Sequence, residues 1–180
     1  MVQAQRHLPA KAPPVPFDAR EARRLYDARG SNCGPCALSA ITGFPLERIL
    51  DTLGDEFDRR RATTEIMMTD ALDALGSEWT QINAQLPLYG LARIQWDGPW
   101  IAATDPYEKL RHSHWIGVCR DKKLISVFDY NAISVGGWID MDEWNNHLRP
   151  WLLASCEPEA TGAWWVSDAY EVHPPMALGK

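Results

Sequence analysis

The sequence predicts an α+β fold in which N-terminal helices pack on a C-terminal antiparallel sheet. Two observations support this prediction: apolar residues follow helical spacing up to about residue 75, and strand-like runs dominate from residue 78 onward. Helices first and strands second is the order typical of α+β proteins. With 180 residues, 46% of them hydrophobic, the chain can bury one core. We therefore expect one domain over 17–180, preceded by a flexible Pro- and Ala-rich arm over 1–16.

Four helices are expected in the first part of the chain, over 17–29, from Cys33 onward, over 45–53 and over 64–75. The first has Asp18 near its N-cap and an apolar face formed by Ala22, Leu25 and Tyr26. The second begins at Cys33, because the Gly-Ser-Asn before it cannot continue a helix and Pro35 suits a first helical turn.

Strands are expected in the second part, over 79–83, 93–96, 100–103, 112–118, 124–128 and 163–172. The polar residues at 121–123 separate two of these strands and predict a hairpin. A short helix over 140–146, capped by Asp140, is expected to end before Pro150, which lacks a backbone N–H.

Cys33 is the most informative residue, because the sequence places it on the first turn of a helix. The unpaired amides and the dipole of a helix N-terminus favour a thiolate there, which lowers the pKa of the thiol. A cysteine in this position is therefore a candidate nucleophile at neutral pH.

Two interpretations compete for the motif Cys33-Gly34-Pro35-Cys36. These letters are those of the redox dithiol of thioredoxin, which predicts a thiol-disulfide oxidoreductase using Cys33 and Cys36. Thioredoxin, however, needs a hydrophobic strand running into the dithiol, whereas the segment 20–29 is charged and has helical spacing. The context therefore favours the nucleophile over the dithiol.

The predicted hairpin supplies partners for a nucleophilic thiol. His114 lies near the start of one strand and Asp129 follows the end of the next, so antiparallel pairing places them almost opposite each other. A thiol nucleophile needs a base, and the base needs a third group that orients it. His112 lies two residues from His114 on the same strand face, and periodicity alone cannot choose between them.

The motif Asn32-Cys33-Gly34-Pro35 and the hairpin together resemble papain-like cysteine peptidases, in particular the bacteriocin-processing (double-glycine leader) peptidase group. The resemblance covers about 25–148 and implies a papain-like domain in which Cys33 is the nucleophile, His114 the base and Asp129 its orienting group. It implies a thiol hydrolase acting on amide bonds, with a peptide or protein substrate and no cofactor or metal. Peptide hydrolysis, deamidation and acyl transfer all suit such a site.

The chain departs from this family at one position. Papain-like enzymes carry a Gln six residues before the nucleophile, and here that residue is Asp27, whose negative charge does not suit an oxyanion. The Cys33 amide, Asn32 and Tyr26 are the candidate oxyanion donors, with Gln3 or Gln5 of the arm as further options. The departure leaves a catalytically inactive papain-like binding module as an alternative to the enzyme.

The remaining features disfavour other functions. Cys36, Cys119 and Cys156 are expected to be structural, and a zinc site with His112 or His114 lacks the usual two close ligand pairs. A net charge of −6 disfavours nucleic acid and anionic membranes as partners. Without a signal sequence, a membrane span or a disulfide pattern, we expect a cytoplasmic protein with reduced thiols; the oligomeric state stays open.

Overall fold

A computed structural model describes residues 17–100, 111–121 and 124–173 of the chain. The arm predicted over 1–16 and most of the strand predicted over 100–103 lie outside the described residues. The helices are α1 (Ala19–Arg29), α2 (Cys33–Thr42), α3 (Leu46–Arg60), α4 (Glu65–Ala74), α5 (Met141–Glu143) and α6 (Arg149–Cys156), with a 3₁₀ segment (Tyr130–Val135) and a π segment (Trp144–Leu148). The strands are β1 (Glu78–Ile82), β2 (Tyr89–Trp96), β3 (Ser113–Asp121), β4 (Leu124–Phe128), β5 (Trp138–Asp140) and β6 (Trp164–His173).

The strands form a six-stranded sheet in the order β1-β6-β2-β3-β4-β5, in which every neighbouring pair is antiparallel. One face of the sheet packs against α1–α4 and forms the larger core. The other face packs against the helical run after β5, with Trp144 fully buried at its centre. The predicted α+β fold, with helices first and an antiparallel sheet second, is therefore confirmed.

The predicted hairpin is also confirmed. Strands β3 and β4 pair antiparallel, with Gly117 opposite Phe128, and Asp129 follows β4 directly. Helix α2 lies along β3, because Gly117 has no Cβ and Ile41 packs against it; a Cβ there would lie 3.2 Å from the Ile41 side chain. This packing fixes α2 on the sheet with its N-terminus at the level of His114.

Three sequence predictions need correction. The helix predicted over 45–53 continues to Arg60. The helix predicted over 140–146 does not stop before Pro150: its helical path continues through the π segment and α6 to Cys156. Pro150 is tolerated because it lies in the first turn of α6, where a missing N–H costs least. The sequence predicts Tyr26 on the apolar face of α1, but its side chain is 51% exposed, because α1 packs on the core through Ala22 and Leu25.

None of the helices in the described ranges 17–100, 111–121 and 124–173 is long and apolar enough to span a membrane.

Candidate active site

Cys33 is the first residue of α2, and the segment before it ends the preceding helix. Gly30 adopts a left-handed conformation (φ 66°) that caps α1, and Asn32 caps α2. The Asn32 Oδ1 accepts a hydrogen bond from the Gly34 N–H (3.3 Å), and its Nδ2 donates to the carbonyl of Arg61 (2.6 Å). These bonds hold the half-buried Cys33 at the helix N-terminus, where the sequence predicts it.

His114 joins Cys33 to Asp129. Its Nε2–H donates to the Asp129 Oδ2 (2.9 Å), which leaves Nδ1 as the ring nitrogen for the hydrogen bond with the Cys33 thiol. The backbone N–H of Trp115 also donates to the Cys33 sulfur. The structure therefore brings the three residues predicted from the sequence into one continuous hydrogen-bonded chain.

Asp129 is fully buried, and both of its carboxylate oxygens are hydrogen-bonded. Oδ2 accepts from His114 and from the indole Nε1 of Trp144 (2.9 Å). Oδ1 accepts from the backbone N–H of Asn131 (2.9 Å) and from its Nδ2 (3.0 Å). Burial alone would raise the pKa of the carboxyl, but the His114 charge and these donors lower it to about 2. Asp129 is therefore an ionised group held in one orientation.

The charges of the site favour a thiolate–imidazolium pair. Burial opposes ionisation of Cys33, yet the His114 charge and the hydrogen bonds from His114 and Trp115 outweigh burial and lower the pKa of the thiol. Burial likewise opposes the charged form of His114, but the negative charges of Asp129 and Cys33 raise its pKa well above the usual value. Each partner therefore stabilises the charge of the other.

Cys36 lies one turn further along α2 and has a different environment. It is fully buried, and burial together with the neighbouring Cys33 charge raises the pKa of its thiol, although a hydrogen bond with Ser31 acts in the opposite direction. The two cysteines of the motif therefore differ: the pKa of the Cys33 thiol is lowered, and that of the buried Cys36 thiol is raised.

A loop that the sequence analysis missed supports the first turn of α2. Thr63 packs so closely on Gly34 that a Cβ at position 34 would lie 2.1 Å from the Thr63 Oγ1. The Thr63 carbonyl accepts a hydrogen bond from the indole of Trp115 (3.3 Å), next to His114 in the chain. The loop thus joins the helix of the nucleophile to the strand of the base. In the sequence, only Gly34 indicates that another segment approaches α2 closely at this point.

The residues predicted as oxyanion donors have different contacts in the structure. The Asn32 amide caps α2 and holds Arg61, as described above. Tyr26 stacks on Tyr130, with ring centroids 6.2 Å apart, and Asp27 is exposed on α1. The backbone N–H of Cys33 belongs to the first turn of α2, where amides have no partner within the helix. Trp144 and Asn131, the further donors to Asp129, had no recognisable sequence signal.

His112, the alternative to His114, belongs to a separate cluster. Its Nδ1 pairs with the Glu157 Oε2 (2.8 Å), and its ring stacks on Trp100 with centroids 3.7 Å apart. Cys119 is buried in β3 and Cys156 is exposed at the end of α6. Within the part of the chain that the structure describes, no three His, Cys, Asp or Glu residues form a cluster that could hold a metal ion.

No protein-family model matches the chain, and no curated protein matches it. A solved peptidase domain is similar to it. This is the crystal structure of the peptidase domain of Streptococcus ComA, a bi-functional ABC transporter involved in a quorum-sensing pathway. The match covers 83% of this chain and 94% of that chain, with 17% sequence identity and a TM-score of 0.47.

Proposed function

We propose that this chain is a thiol hydrolase that acts on amide bonds of a peptide or protein, most closely a cysteine peptidase. Cys33 is the nucleophile, His114 the general acid and base, and Asp129 the group that orients His114. The observation that carries the proposal is the continuous path from the Cys33 thiol through His114 to a buried, fully hydrogen-bonded Asp129. Such a path provides both a thiolate at neutral pH and a proton donor beside it.

The proposed reaction uses two steps. The Cys33 thiolate attacks the carbonyl carbon, and the C–N bond breaks as His114 gives its proton to the leaving nitrogen, which leaves a thioester on Cys33. Water then attacks the thioester while His114 takes its proton, so the acid is released and the thiolate returns. An amine in place of water gives acyl transfer, and ammonia as the leaving group gives deamidation.

The oxyanion of each step would form beside the first turn of α2. The Cys33 N–H is the first donor, and the helix dipole adds a positive potential there. Two side chains are candidates for the second donor to the oxyanion. One is the Asn32 amide, which retains one N–H beyond its bond to Arg61, and the other is the Tyr26 hydroxyl. Asp27 does not serve this role, because a carboxylate repels an oxyanion.

The proposed enzyme comprises a single papain-like domain over 17–180, and we place it in the cytoplasm. A reducing compartment suits the chain because none of its four cysteines, all of which lie in the described residues, forms a disulfide. It also keeps a low-pKa thiol such as Cys33 in its active form.

A cleavage screen tests the proposal. A mixed peptide library is incubated with the wild type, with Cys33→Ser and with Cys156→Ser as a matched control at an exposed thiol at the end of α6. New termini or acyl products, identified by mass spectrometry, are expected with the wild type and the control but not with Cys33→Ser. Products that persist in Cys33→Ser would contradict the proposal, as would the absence of products combined with unselective alkylation of the wild-type thiols.

A further inference from the structure

A row of three directly paired residues crosses the sheet beside the candidate site. Ser113 on β3 pairs with Gln95 on β2, and Gln95 pairs with Trp165 on β6. Directly paired residues point to the same face of a sheet, and side chains two positions apart along a strand share that face. Trp115 belongs to the core between the sheet and α1–α4. The row of Ser113, Gln95 and Trp165 therefore lies on the face of the sheet that packs against α1–α4. We call this row the shelf.

Helices α2 and α4 both begin over the next row of the sheet, which contains Trp115 and Arg93. Helix α2 starts at Cys33, whose sulfur accepts from the Trp115 N–H, and runs away from the shelf to Ile41, whose carbonyl accepts from the Tyr89 hydroxyl (2.8 Å). Helix α4 starts at Glu65, which faces Arg93 (3.6 Å), the residue paired with Trp115. The helices therefore cover the row of Trp115 and Arg93, and the shelf extends in front of their N-termini.

The side chains of the shelf have the exposure that this geometry predicts. Trp165 is 49% exposed, whereas its chain neighbour Trp164 points to the opposite face and packs in the second core. Ser113 and Gln95 are partly exposed, and the Gln95 Nε2 is held by the carbonyl of His112 (2.7 Å). The shelf thus has a polar floor next to His114 and a large apolar ring at its far end.

We propose that the shelf binds the extended peptide of the substrate and that Trp165 selects an apolar or aromatic side chain on it. This inference rests on the proposed function and names the substrate class of the same site. The shelf is continuous with the reacting atoms, because Ser113 directly precedes His114 and the row starts at the strand that contacts Cys33. That continuity favours a bound substrate over an unrelated partner.

The width of the shelf sets the position that Trp165 selects. Trp165 lies two strand spacings from Ser113, about 10 Å at roughly 4.8 Å per spacing. An extended peptide rises about 3.3 Å per residue, so this distance corresponds to about three residues. The scissile bond lies at Cys33, one row (about 7 Å) behind Ser113, so the diagonal path is about 12 Å and the selected side chain lies about three to four residues from the scissile bond. Contact with an indole face gives such a side chain a preference of about tenfold over Ala.

Covalent labelling tests this assignment without a known substrate. Peptidyl chloromethyl ketones and N-terminally haloacetylated peptides, which extend from Cys33 in opposite directions, are made with Phe or Ala at each of four positions. The rate of Cys33 labelling is measured for the wild type, Trp165→Ala and Trp151→Ala, the last being a control at a tryptophan on α6 that is 55% exposed. We expect Phe about three to four residues from the warhead to label roughly tenfold faster than Ala, and Trp165→Ala alone to abolish that ratio.

Iodoacetamide carries no peptide, so its reaction with Cys33 does not depend on the shelf. It therefore distinguishes failure of the shelf assignment from failure of the proposed function. If it labels Cys33 selectively but the Phe-to-Ala ratio is near one in the wild type, or survives in Trp165→Ala, the shelf assignment is overturned and the proposed function stands. If iodoacetamide shows no selectivity for Cys33, the proposed function itself fails. Self-association that is lost in Trp165→Ala with no change in the ratio would assign the shelf to a second copy of the chain and overturn the inference.

Discussion

Two histidines, His112 just before β3 and His114 within it, each contact a carboxylate at almost the same distance. His114 lies 2.9 Å from Asp129 and His112 lies 2.8 Å from Glu157. The two pairs differ in what surrounds them. Asp129 is completely buried and accepts from three further donors, the Trp144 indole and the backbone and side-chain amides of Asn131, and the second nitrogen of His114 faces a thiol. His112 has a 29% exposed side chain and stacks on Trp100.

The comparison shows that a histidine and a carboxylate do not make a reactive site by themselves. The His114 pair gains its properties from burial, from the donors that hold Asp129 and from the thiol of a helix N-terminus. The His112 pair is partly solvated, and such pairs contribute little to stability or chemistry. The first two predictions below change the two pairs in parallel, and the later ones change the site of His114 alone, from the largest expected effect to the smallest.

Removing each carboxylate is expected to have very different effects on stability. Asp129→Ala leaves the charge of His114 and the indole N–H of Trp144 buried without a partner, so we expect a loss of roughly 3 to 5 kcal/mol in the free energy of unfolding. Glu157→Ala removes a partly exposed pair, and we expect a loss below about 1 kcal/mol. Urea unfolding followed by tryptophan fluorescence measures both. Equal losses in the two variants would contradict the distinction.

Asp129→Asn keeps the shape of the buried group and removes its charge. The pKa of His114 is expected to fall, because the Asp129 charge raises it in the wild type. The pKa of Cys33 is then expected to rise, because losing the His114 charge, which lowers it, outweighs losing the weaker repulsion from Asp129. Alkylation of Cys33 at pH 7 should slow roughly 10²-fold, whereas Glu157→Gln should leave it unchanged. An unaltered rate in Asp129→Asn would show that the carboxylate does not act on the thiol.

The acid dependence of stability follows from the lowered pKa of Asp129. A carboxyl with a pKa of about 2 in the folded protein and 3.8 in the unfolded chain contributes on the order of 2 kcal/mol above pH 4. This contribution is lost as the pH falls through the folded pKa, between about 4 and 2. The raised pKa of His114 acts in the opposite direction: its contribution is present below its unfolded pKa and is lost as the pH rises through the folded one.

Unfolding free energies measured from pH 6 to pH 2 for the wild type and Asp129→Asn test this dependence. The wild type should lose more stability than the variant between pH 4 and pH 2. Parallel curves for the two proteins would mean that Asp129 has an ordinary pKa in the folded state.

Cys36→Ser is expected to have the smallest effect. The Cys36 thiol is un-ionised and buried, so its replacement should change the alkylation rate of Cys33 less than about twofold, at a modest cost in stability. Peptide products in the cleavage screen should persist. If Cys36→Ser instead abolishes activity and the wild type reduces disulfides, the dithiol interpretation of Cys33 and Cys36 is the correct one.

The order of helices and strands along the chain, and the hairpin, could be predicted from the sequence because both depend on local patterns. The apolar spacing of α1–α4 and the polar turn between β3 and β4 are signals within a few residues. The sequence could also place Cys33 on a first helical turn, since Asn32 and Pro35 mark that position.

The parts that could not be predicted depend on contacts between distant segments. Periodicity could not separate His112 from His114; the structure separates them because β4 ends before His114, which leaves space for Asp129 and the thiol. Trp144 and Thr63 lie far along the chain from the residues they support. The helix through Pro150 was missed because a π segment shifted the proline into the first turn of a new helix.

The most direct test of the central claim is the pH dependence of iodoacetamide alkylation, followed by peptide mapping, in the wild type, His114→Ala and His112→Ala. The account predicts selective labelling of Cys33 with an apparent pKa below that of an ordinary thiol in the wild type and in His112→Ala, and loss of both features in His114→Ala. Labelling that is unselective in the wild type, or that depends on His112 as much as on His114, would contradict it.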